Sequence, residues 1–500
     1  MAADLTSPGD LLRRAAAVAP DRTALVEGED RLTWRELDAR VSVAAAELAA
    51  AGLAPGDRVV VLHPTSIRFV VDHLGALRAG LVAVPVNPAH TAPELGHVLA
   101  DSGARAVLTS LADPPEVPRG VAVHHRPAPV PAPAGDEPVV DPALDRTGED
   151  VAVLLYTSGT SGRPRGAMLT ARALLANTAQ VAAVAPPLVG PDDVLLLPLP
   201  LFHVFGLNGG LGTALWHATT MVLVGHFDPR ATAEAIARHR VTVVVGAPPM
   251  YAAWATRLSL SDVFAGVRLA LSGASALPAA LVQEYAAHGV ALYEGYGMTE
   301  TAPVLTSNVV GPVAGERPAP LPGSIGRPLP GIEARLVDGD GDEVDDGDPG
   351  QLQVRGDNLF SGYWPDGEDA PVDGWFATGD LAVRDGDGAL WLVGRTSDLV
   401  IVNGFNVYPA EVEGVLGALP GVTEVAVVGA PDPRTGEAVV AYVVAGRGVE
   451  LDADALRAEA ARSLARYKVP SRVELVPTLP HTVTGKVQKW RLTGTGSVET

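Results

Sequence analysis

The stretch Leu154–Gly166 reads LLYTSGTSGRPRG, an apolar run that ends at Tyr156 and passes directly into hydroxyl side chains, glycines and arginines. Glycine lets the backbone approach a ligand closely, and main-chain N–H groups, hydroxyls and a cation together suit phosphate oxygens. A plain polar turn is the alternative, but the order of these residue types after a predicted strand argues against it. The stretch therefore predicts a strand followed by a phosphate-binding loop. The candidate phosphate contacts are Thr157, Ser158, Gly159, Thr160, Ser161, Gly162 and Arg165.

Strand and helix patterns alternate on both sides of this loop. Short apolar runs at Asp57–Leu62, Ala106–Thr109 and Val194–Leu197 predict buried strands, and Leu32–Ala50 predicts a helix with one apolar face. The proline-rich stretch Pro114–Pro142 predicts a surface connection. Alternation of this kind is typical of α/β layers around mostly parallel sheets, so we expect an α/β fold.

The pattern changes after about Gly323, where short strand patterns separated by turns predict a β-rich subdomain. After Arg395, strand and helix patterns follow one another closely, and Ala453–Ser463 is predicted as a helix. We therefore expect a large N-terminal domain, residues 1–396, made of layered α/β subdomains and the β-rich subdomain. A small α+β C-terminal domain, residues 397–500, is expected to follow it.

The composition excludes several classes of protein. The 500 residues are 47% hydrophobic and 19% charged, which is typical of a folded chain rather than a disordered one. The formal net charge of −21 excludes a broad nucleic-acid surface, although a local cationic site for phosphate groups is compatible with it. The absence of cysteine excludes disulfides, thiolate metal sites and a cysteine nucleophile. With no signal-peptide pattern and no long apolar run, we expect a cytoplasmic protein without integral membrane association.

The loop resembles the phosphate-binding signature of the adenylate-forming superfamily, which includes acyl-CoA synthetases, peptide-synthetase adenylation domains and firefly luciferase. The usual form is YTSG(S/T)TGxPKG, and this chain departs from it at Ser161, where the family has threonine, and at Arg165, where it has lysine. Arginine keeps the charge, but in a planar and forked group. Other segments resemble further signatures of the family in the same order: Leu81–Pro88, Pro200–Gly206, Ser272–Ala274, Tyr293–Thr301, Gly374–Leu381, Leu392–Asp398, Asp398–Glu413 and Leu479–Lys489.

The resemblance implies an ATP site with named residues. Tyr296 would stack on adenine, while Thr299 and Glu300 would be catalytic, the first at the α-phosphate and the second as the Mg²⁺ ligand. Asp380 would accept hydrogen bonds from the ribose hydroxyls, and Arg395 would bind ribose or phosphate. Further nucleotide contacts implied by the resemblance are Gly273, Ala274 and Gly297.

The resemblance also implies the remaining parts of an active site. Lys486 would be the catalytic lysine, presented by a mobile C-terminal domain. Ser397 takes the hinge position, where the family usually has aspartate or lysine, and Gly404 and Phe405 would line the CoA tunnel. The acid pocket would be lined by small or apolar residues and one histidine, which favours an apolar acyl group or an aromatic acid. These residues are His203, Val204, Phe205, Gly295 and Val304, and a satisfied core histidine is the alternative for His203.

The implied reaction uses ATP, Mg²⁺ and CoA. A carboxylic acid would become an acyl-adenylate with release of pyrophosphate, and CoA would then take the acyl group and release AMP. The motifs NGFNVYP and RYKVP resemble stand-alone fatty-acid or aromatic-acid CoA ligases more than peptide-synthetase modules. Two alternatives remain. One is an adenylating enzyme that passes its acyl group to a carrier protein, an amine or another nucleophile, and the other is an inactive ligand-binding homologue. The presence of Glu300, Asp380, Arg395 and Lys486 together argues against the inactive homologue.

Overall fold

The computed structural model describes residues 5–113, 116–126, 147–157, 164–313, 315–403, 405–481 and 487–492. The chain divides into two compact units, Met1–Glu333 with Arg355–Phe376, and Ala334–Val354 with Ala377–Thr500. The second unit contains much of the predicted β-rich subdomain together with the C-terminal residues. The domain boundary between residues 396 and 397 stays a prediction.

Two sheets organise the first unit. One has six strands in the order β6-β5-β3-β4-β7-β8, and it is parallel except for the antiparallel pair β7–β8. The other has nine strands in the order β15-β14-β13-β12-β11-β9-β10-β1-β2, and it is parallel from β13 to β1. The strands are β1 (Thr23–Glu27), β2 (Asp30–Thr33), β3 (Arg58–Leu62), β4 (Val82–Pro85), β5 (Ala106–Thr109), β6 (Ala122–His125), β7 (Val151–Thr157), β8 (Arg165–Thr170), β9 (Val194–Leu197), β10 (Thr220–Leu223), β11 (Val243–Gly246), β12 (Leu269–Ser272), β13 (Leu292–Gly297), β14 (Val304–Ser307) and β15 (Arg327–Pro328).

Helices connect the strands of the first unit, as the alternating pattern predicted. They are α1 (Pro8–Val18), α2 (Trp34–Ala50), α3 (Ile67–Arg78), α4 (Ala92–Ser102), α5 (Ala171–Ala182), α6 (Thr213–His217), α7 (Pro229–His239), α8 (Pro248–Arg257), α9 (Leu260–Val263) and α10 (Ala279–Ala287). Between α7, α8 and α10, the buried aromatic residues Tyr251, Trp254 and Tyr285 meet edge to face and anchor one of the cores. No helix in the described part is long and apolar enough to cross a bilayer.

The structure corrects two local predictions. The helix predicted from Leu32 begins at Trp34, because Thr33 and Glu36 form a capping box and Leu32 belongs to β2. The stretch predicted as a surface connection contains β6, which pairs in parallel with β5. Most of β6 is exposed, so it has none of the apolar signal that marks the buried strands.

The second unit contains two further sheets. A four-stranded sheet has the order β16-β17-β18-β19, and a five-stranded sheet has the order β21-β20-β23-β22 with β24 paired to β23. Helices α11 and α12 pack with the five-stranded sheet around an apolar core that includes Val412, Leu416 and Leu456. The elements are β16 (Glu333–Val337), β17 (Gly350–Arg355), β18 (Phe376–Arg384), β19 (Leu390–Arg395), β20 (Val400–Val402), β21 (Phe405–Val407), α11 (Pro409–Gly417), β22 (Val422–Asp432), β23 (Gly436–Ala445), α12 (Ala453–Ser463) and β24 (Arg472–Leu475).

Candidate active site

The two ends of the predicted phosphate loop meet at the edge of the six-stranded sheet. Thr157 is the last residue of β7 and Arg165 the first of β8, and the two are cross-strand partners in the antiparallel ladder. The structure thus has the predicted strand in front of the loop. The loop residues Ser158, Gly159, Thr160, Ser161 and Gly162 lie outside the described residues, so their phosphate contacts stay predictions.

Arg165 is held by an aromatic ring and two carboxylates. Its guanidinium carbon Cζ lies 3.7 Å from the centroid of the Tyr363 ring, a cation–π contact. Its Nη1 lies 2.9 Å from Oδ2 of Asp369 and 3.5 Å from Oε2 of Glu368. Its Nε is buried and has no hydrogen-bond partner among the described residues. Arg165 is therefore a fixed cation with an unused N–H group, which suits an anionic ligand.

Glu300 lies in the 3-10 turn Thr299–Thr301, shortly after β13. Tyr363 donates its hydroxyl hydrogen bond to Oε1 of Glu300, and Oε2 accepts none from the residues that the structure describes. Within the same described ranges, no group of three or more His, Asp or Glu side chains could hold a metal ion. Since Mg²⁺ is commonly bound by one or two carboxylates together with substrate phosphates, the available Oε2 of Glu300 fits a magnesium ligand.

The carboxyl ends of β12 and β13 lie side by side in a parallel pair, with Gly273 directly after β12 and Gly297 as the last residue of β13. A Cβ added at Gly273 would lie 3.4 Å from the carbonyl oxygen of Gly295. A Cβ at Gly297 would lie 1.8 Å from the carbonyl oxygen of Pro303, so no other residue fits there without a shift of the backbone. Tyr296 stands between Gly295 and Gly297. Ligands of open α/β sheets bind at the carboxyl ends of strands, which is where these predicted nucleotide contacts lie.

Glu294 is a buried acid in the same region that sequence reasoning missed. Its side chain accepts a hydrogen bond at Oε1 from the main-chain N–H of Leu277 at 3.0 Å, which ties β13 to the loop after β12. Burial raises the pKa of Glu294 to about 7, although this hydrogen bond acts in the opposite direction. The tied loop contains Ala274, a predicted nucleotide contact with a left-handed φ of 72°.

The predicted acid pocket includes the start of a π-helix, Phe205–Gly212. The Phe205 ring packs on two glycines, since a Cβ at Gly273 or Gly209 would lie 2.9 or 3.0 Å from its atoms. Such helices are rare and are frequently found at functional sites. Sequence reasoning missed this element, and the one signal for it is the glycine density of FGLNGGLG.

His203 lies shortly before the π-helix, and one of its ring nitrogens has no partner among the residues that the structure describes. Its Nε2 is buried and finds no hydrogen-bond partner within the described ranges. Burial, together with the charge of His90, lowers the pKa of His203 to about 4, so the ring is neutral near pH 7. Buried polar atoms are nearly always paired, so this geometry argues against a satisfied core histidine and favours contact with a ligand.

Two buried asparagines that sequence reasoning missed hold the segment that carries Val304. Nδ2 of Asn177 donates to the Val304 carbonyl at 2.7 Å, and Oδ1 of Asn177 accepts from the Val304 N–H at 3.0 Å. Asn208, within the π-helix, donates to the carbonyl of Ala302 at 2.7 Å. The side chains therefore fix the backbone at the start of β14, next to the residues predicted to face the acid. Val204, which directly precedes the π-helix, is itself buried.

The second unit contains the other predicted site residues. Asp380 and Arg395 are cross-strand partners on β18 and β19, and Arg395 Nε lies 3.0 Å from Asp380 Oδ1. The Ser397 hydroxyl donates to Asp398 at 3.1 Å. The Phe405 side chain is 56% exposed, and its ring stacks on Tyr467 with centroids 4.8 Å apart. The predicted CoA contact Gly404 and the predicted catalytic Lys486 lie outside the described residues.

Two family descriptions match the chain. The AMP-binding enzyme family matches residues 12–364, and the AMP-binding enzyme C-terminal domain matches residues 411–486. The chain is 39% identical over 487 residues to a feruloyl-CoA synthase of an Amycolatopsis species, covering 95% of this chain and 96% of that protein. It is 35% identical over 496 residues to an indoleacetate–CoA ligase of Aromatoleum aromaticum, covering 95% of each.

Solved structures agree with these sequence relationships. ATP-bound MatB from Rhodopseudomonas palustris is 34% identical and superposes with a TM-score of 0.88 over 98% of both chains. The match to the first family covers well over half of the chain, and the relatives match it over nearly their full lengths. The chain therefore belongs to the AMP-binding enzymes, the adenylate-forming group that includes the acyl-CoA synthetases.

Proposed function

We propose that the protein is an AMP-forming acid–CoA ligase. It activates a carboxylic acid with ATP to an acyl-adenylate, releases pyrophosphate, and transfers the acyl group to CoA with release of AMP. The observation that carries this proposal is the extent of similarity to CoA ligases, 39% identity over 95% of the chain. Its support in the structure is the contact of Tyr363 with both Arg165 and Glu300, which brings a cation and a carboxylate to one edge of the sheet.

The residues of the ATP site take separate roles in this proposal. Tyr296 stacks on adenine, Asp380 and Arg395 bind the ribose and phosphates, and Thr299 contacts the α-phosphate. Phosphate groups also contact Arg165 and the glycine- and hydroxyl-rich loop that precedes it. Since Arg165 already has a defined position, little conformational entropy is lost when its charge meets a phosphate.

Charge is the main obstacle to the first half-reaction, because a carboxylate must approach a polyanion. The acid is already ionised at neutral pH, so no general base is required. Arg165 and Lys486 stabilise the negative charge that develops on the leaving pyrophosphate and the α-phosphate. A magnesium ion held by Glu300 would supply a further positive charge at the phosphates.

We further propose that the acid contains an aromatic ring with a polar substituent. The names of the two relatives refer to feruloyl and indoleacetate groups, and both groups contain an aromatic ring. The ring of Phe205, packed on glycines, offers a flat apolar surface for such a group. The neutral His203, whose Nε2 has no partner in the described part of the chain, is placed to exchange a hydrogen bond with a polar substituent.

A panel of carboxylic acids tests the reaction and the substrate class together. Pyrophosphate release is measured for each acid with and without CoA, and products are identified by mass. The proposal expects release with aromatic acids and an acyl-CoA product that requires CoA. Adenylation without thioester formation would instead favour a carrier protein or an amine as acceptor, which is the alternative. Absence of release with every acid would favour an inactive homologue.

A cytoplasmic location, where ATP and CoA are plentiful, is also part of the proposal.

A further inference from the structure

Tyr363 has a position fixed by the main chain on the outer edge of β8. The N–H of Trp364 donates to the carbonyl of Gly166 at 2.8 Å, the N–H of Ser361 donates to that of Met168 at 3.0 Å, and the N–H of Met168 donates to Gly362 at 3.0 Å. These hydrogen bonds align residues 361–364 along β8. The Tyr363 side chain is thereby buried, with 8% of its surface exposed.

The ring face and the hydroxyl of Tyr363 make different contacts. Its face lies under the guanidinium of Arg165, 3.7 Å from Cζ to the centroid, and its hydroxyl donates to Oε1 of Glu300. Phe360 packs against the ring in an edge-to-face arrangement, and its N–H donates to the Glu300 carbonyl at 2.9 Å. One rigid side chain thus touches both the cation and the carboxylate.

We propose that Tyr363 is a positioning residue that sets the distance between Arg165 and the metal-binding oxygen of Glu300. This inference rests on the proposed function, in which Arg165 contacts phosphates and Glu300 contacts Mg²⁺. Tyr363 acts through these two groups and touches neither the nucleotide nor the acid.

The two contacts have separable consequences. The hydroxyl occupies Oε1, which leaves Oε2 as the oxygen directed to the metal ion and restrains rotation of the carboxylate. The aromatic face favours a cation at Arg165 and holds its guanidinium carbon over the ring. Removal of the hydroxyl alone should therefore weaken the metal-dependent part of ATP binding, whereas removal of the ring should also weaken metal-independent binding of pyrophosphate.

Three variants test this division of roles. Tyr363→Phe removes the hydroxyl and keeps the ring, and Tyr363→Leu removes both. Tyr285→Phe is the matched control, because Tyr285 is likewise buried and its hydroxyl donates to a main-chain carbonyl, that of Tyr251, at 2.9 Å. Calorimetry measures binding of pyrophosphate without Mg²⁺ and of ATP over a range of Mg²⁺ concentrations, and thermal midpoints are recorded for all variants.

For Tyr363→Phe, we expect unchanged pyrophosphate binding and at least a tenfold increase in the Mg²⁺ concentration needed for half-maximal ATP binding, since hydrogen bonds to charged groups are the stronger ones. Tyr363→Leu should show this increase and also weaker pyrophosphate binding. Tyr285→Phe should lower the thermal midpoint without changing either affinity.

An unchanged Mg²⁺ requirement in Tyr363→Phe, with a lowered thermal midpoint like that of Tyr285→Phe, would overturn the inference and leave only a structural role for Tyr363. Failure of the proposed function is a separate result: the wild-type protein would release no pyrophosphate with any acid. The Mg²⁺-dependent binding of ATP would still report on Tyr363 in that case, so the two failures are distinguishable.

Discussion

Gly295→Ile is expected to narrow the range of acids that the enzyme accepts without changing its affinity for ATP. A Cβ at Gly295 would lie 3.5 Å from the Thr306 carbonyl oxygen, 3.8 Å from Oγ of Ser307 and 4.0 Å from the Ser272 carbonyl oxygen. These are ordinary van der Waals distances, so the strand has room for a side chain here. β-branched side chains also suit strands, so the variant should fold.

The magnitude follows from the volume that is added. The gain or loss of room for one methylene in a substrate pocket changes kcat/KM by about 10- to 200-fold. Gly295→Ala should therefore cost about tenfold for the largest acid that the wild type accepts, and Gly295→Ile about a thousandfold, or about 4 kcal/mol. Acids too short to reach Gly295 should keep their kcat/KM within about twofold, because the added side chain does not occupy the space that they fill.

The assay is the acid panel, scored by pyrophosphate release for the wild type and both variants, with the KM for ATP measured in parallel. Gly297→Ala provides the contrast, since its Cβ would lie 1.8 Å from the Pro303 carbonyl oxygen and should disrupt the site for every acid. An unchanged acid profile in folded Gly295→Ile would refute the assignment of Gly295 to the pocket. A rise in the KM for ATP that equals the loss for acids would refute it as well.

Substitutions at three other positions have distinct expected outcomes. Arg165→Lys should retain more pyrophosphate release than Arg165→Ala, because lysine keeps the charge, and equal loss would show that the forked guanidinium is essential. Lys486→Ala should abolish adenylation and spare thioester formation from supplied acyl-adenylate; normal pyrophosphate release would contradict its catalytic role. Glu294→Gln should raise the thermal midpoint relative to the wild type at pH 8 more than at pH 5. In the folded protein burial raises the pKa of Glu294 from its ordinary value near 4.5 to about 7, so folding stability falls as pH rises through this window. Glutamine does not ionise, so it removes that loss. A midpoint difference that does not change with pH would argue against an ionising, buried Glu294.

Local sequence patterns were sufficient to predict the bounds of several elements that have one or both faces buried. The predicted strands Ala106–Thr109 and Val194–Leu197 and the predicted helix Ala453–Ser463 have the same bounds in the structure. Each of the two strands is a short apolar run between turn residues in a mostly parallel sheet, where burial and sequence pattern coincide. Of the candidate nucleotide contacts, Gly273 directly follows β12 and Gly297 ends β13, whereas Asp380 lies within β18, and their roles stay predictions.

Elements without an apolar signal were not predictable in this way. The exposed strand Ala122–His125 forms because its main chain pairs with β5, and no side-chain pattern marks that pairing. The π-helix Phe205–Gly212 depends on close approach of its glycines to neighbouring chain, as at Gly206, where a Cβ would lie 2.4 Å from the Pro200 carbonyl oxygen. Both features are set by tertiary contacts, which a local window does not contain.

The arginine at position 165, where the family usually has lysine, is explained by contacts with residues far away in the sequence. A guanidinium is a broad, forked cation, and here its Cζ lies over the Tyr363 ring while its Nη1 meets Asp369 and Glu368. A lysine ammonium is a compact point charge without this planar fork, so its contacts with the ring and the two carboxylates would differ. Tyr363 in turn reaches Glu300, which is 63 residues away in sequence. The substitution of arginine for lysine in the loop is therefore best understood together with the aromatic and acidic residues of 363–369, which hold its fork in place.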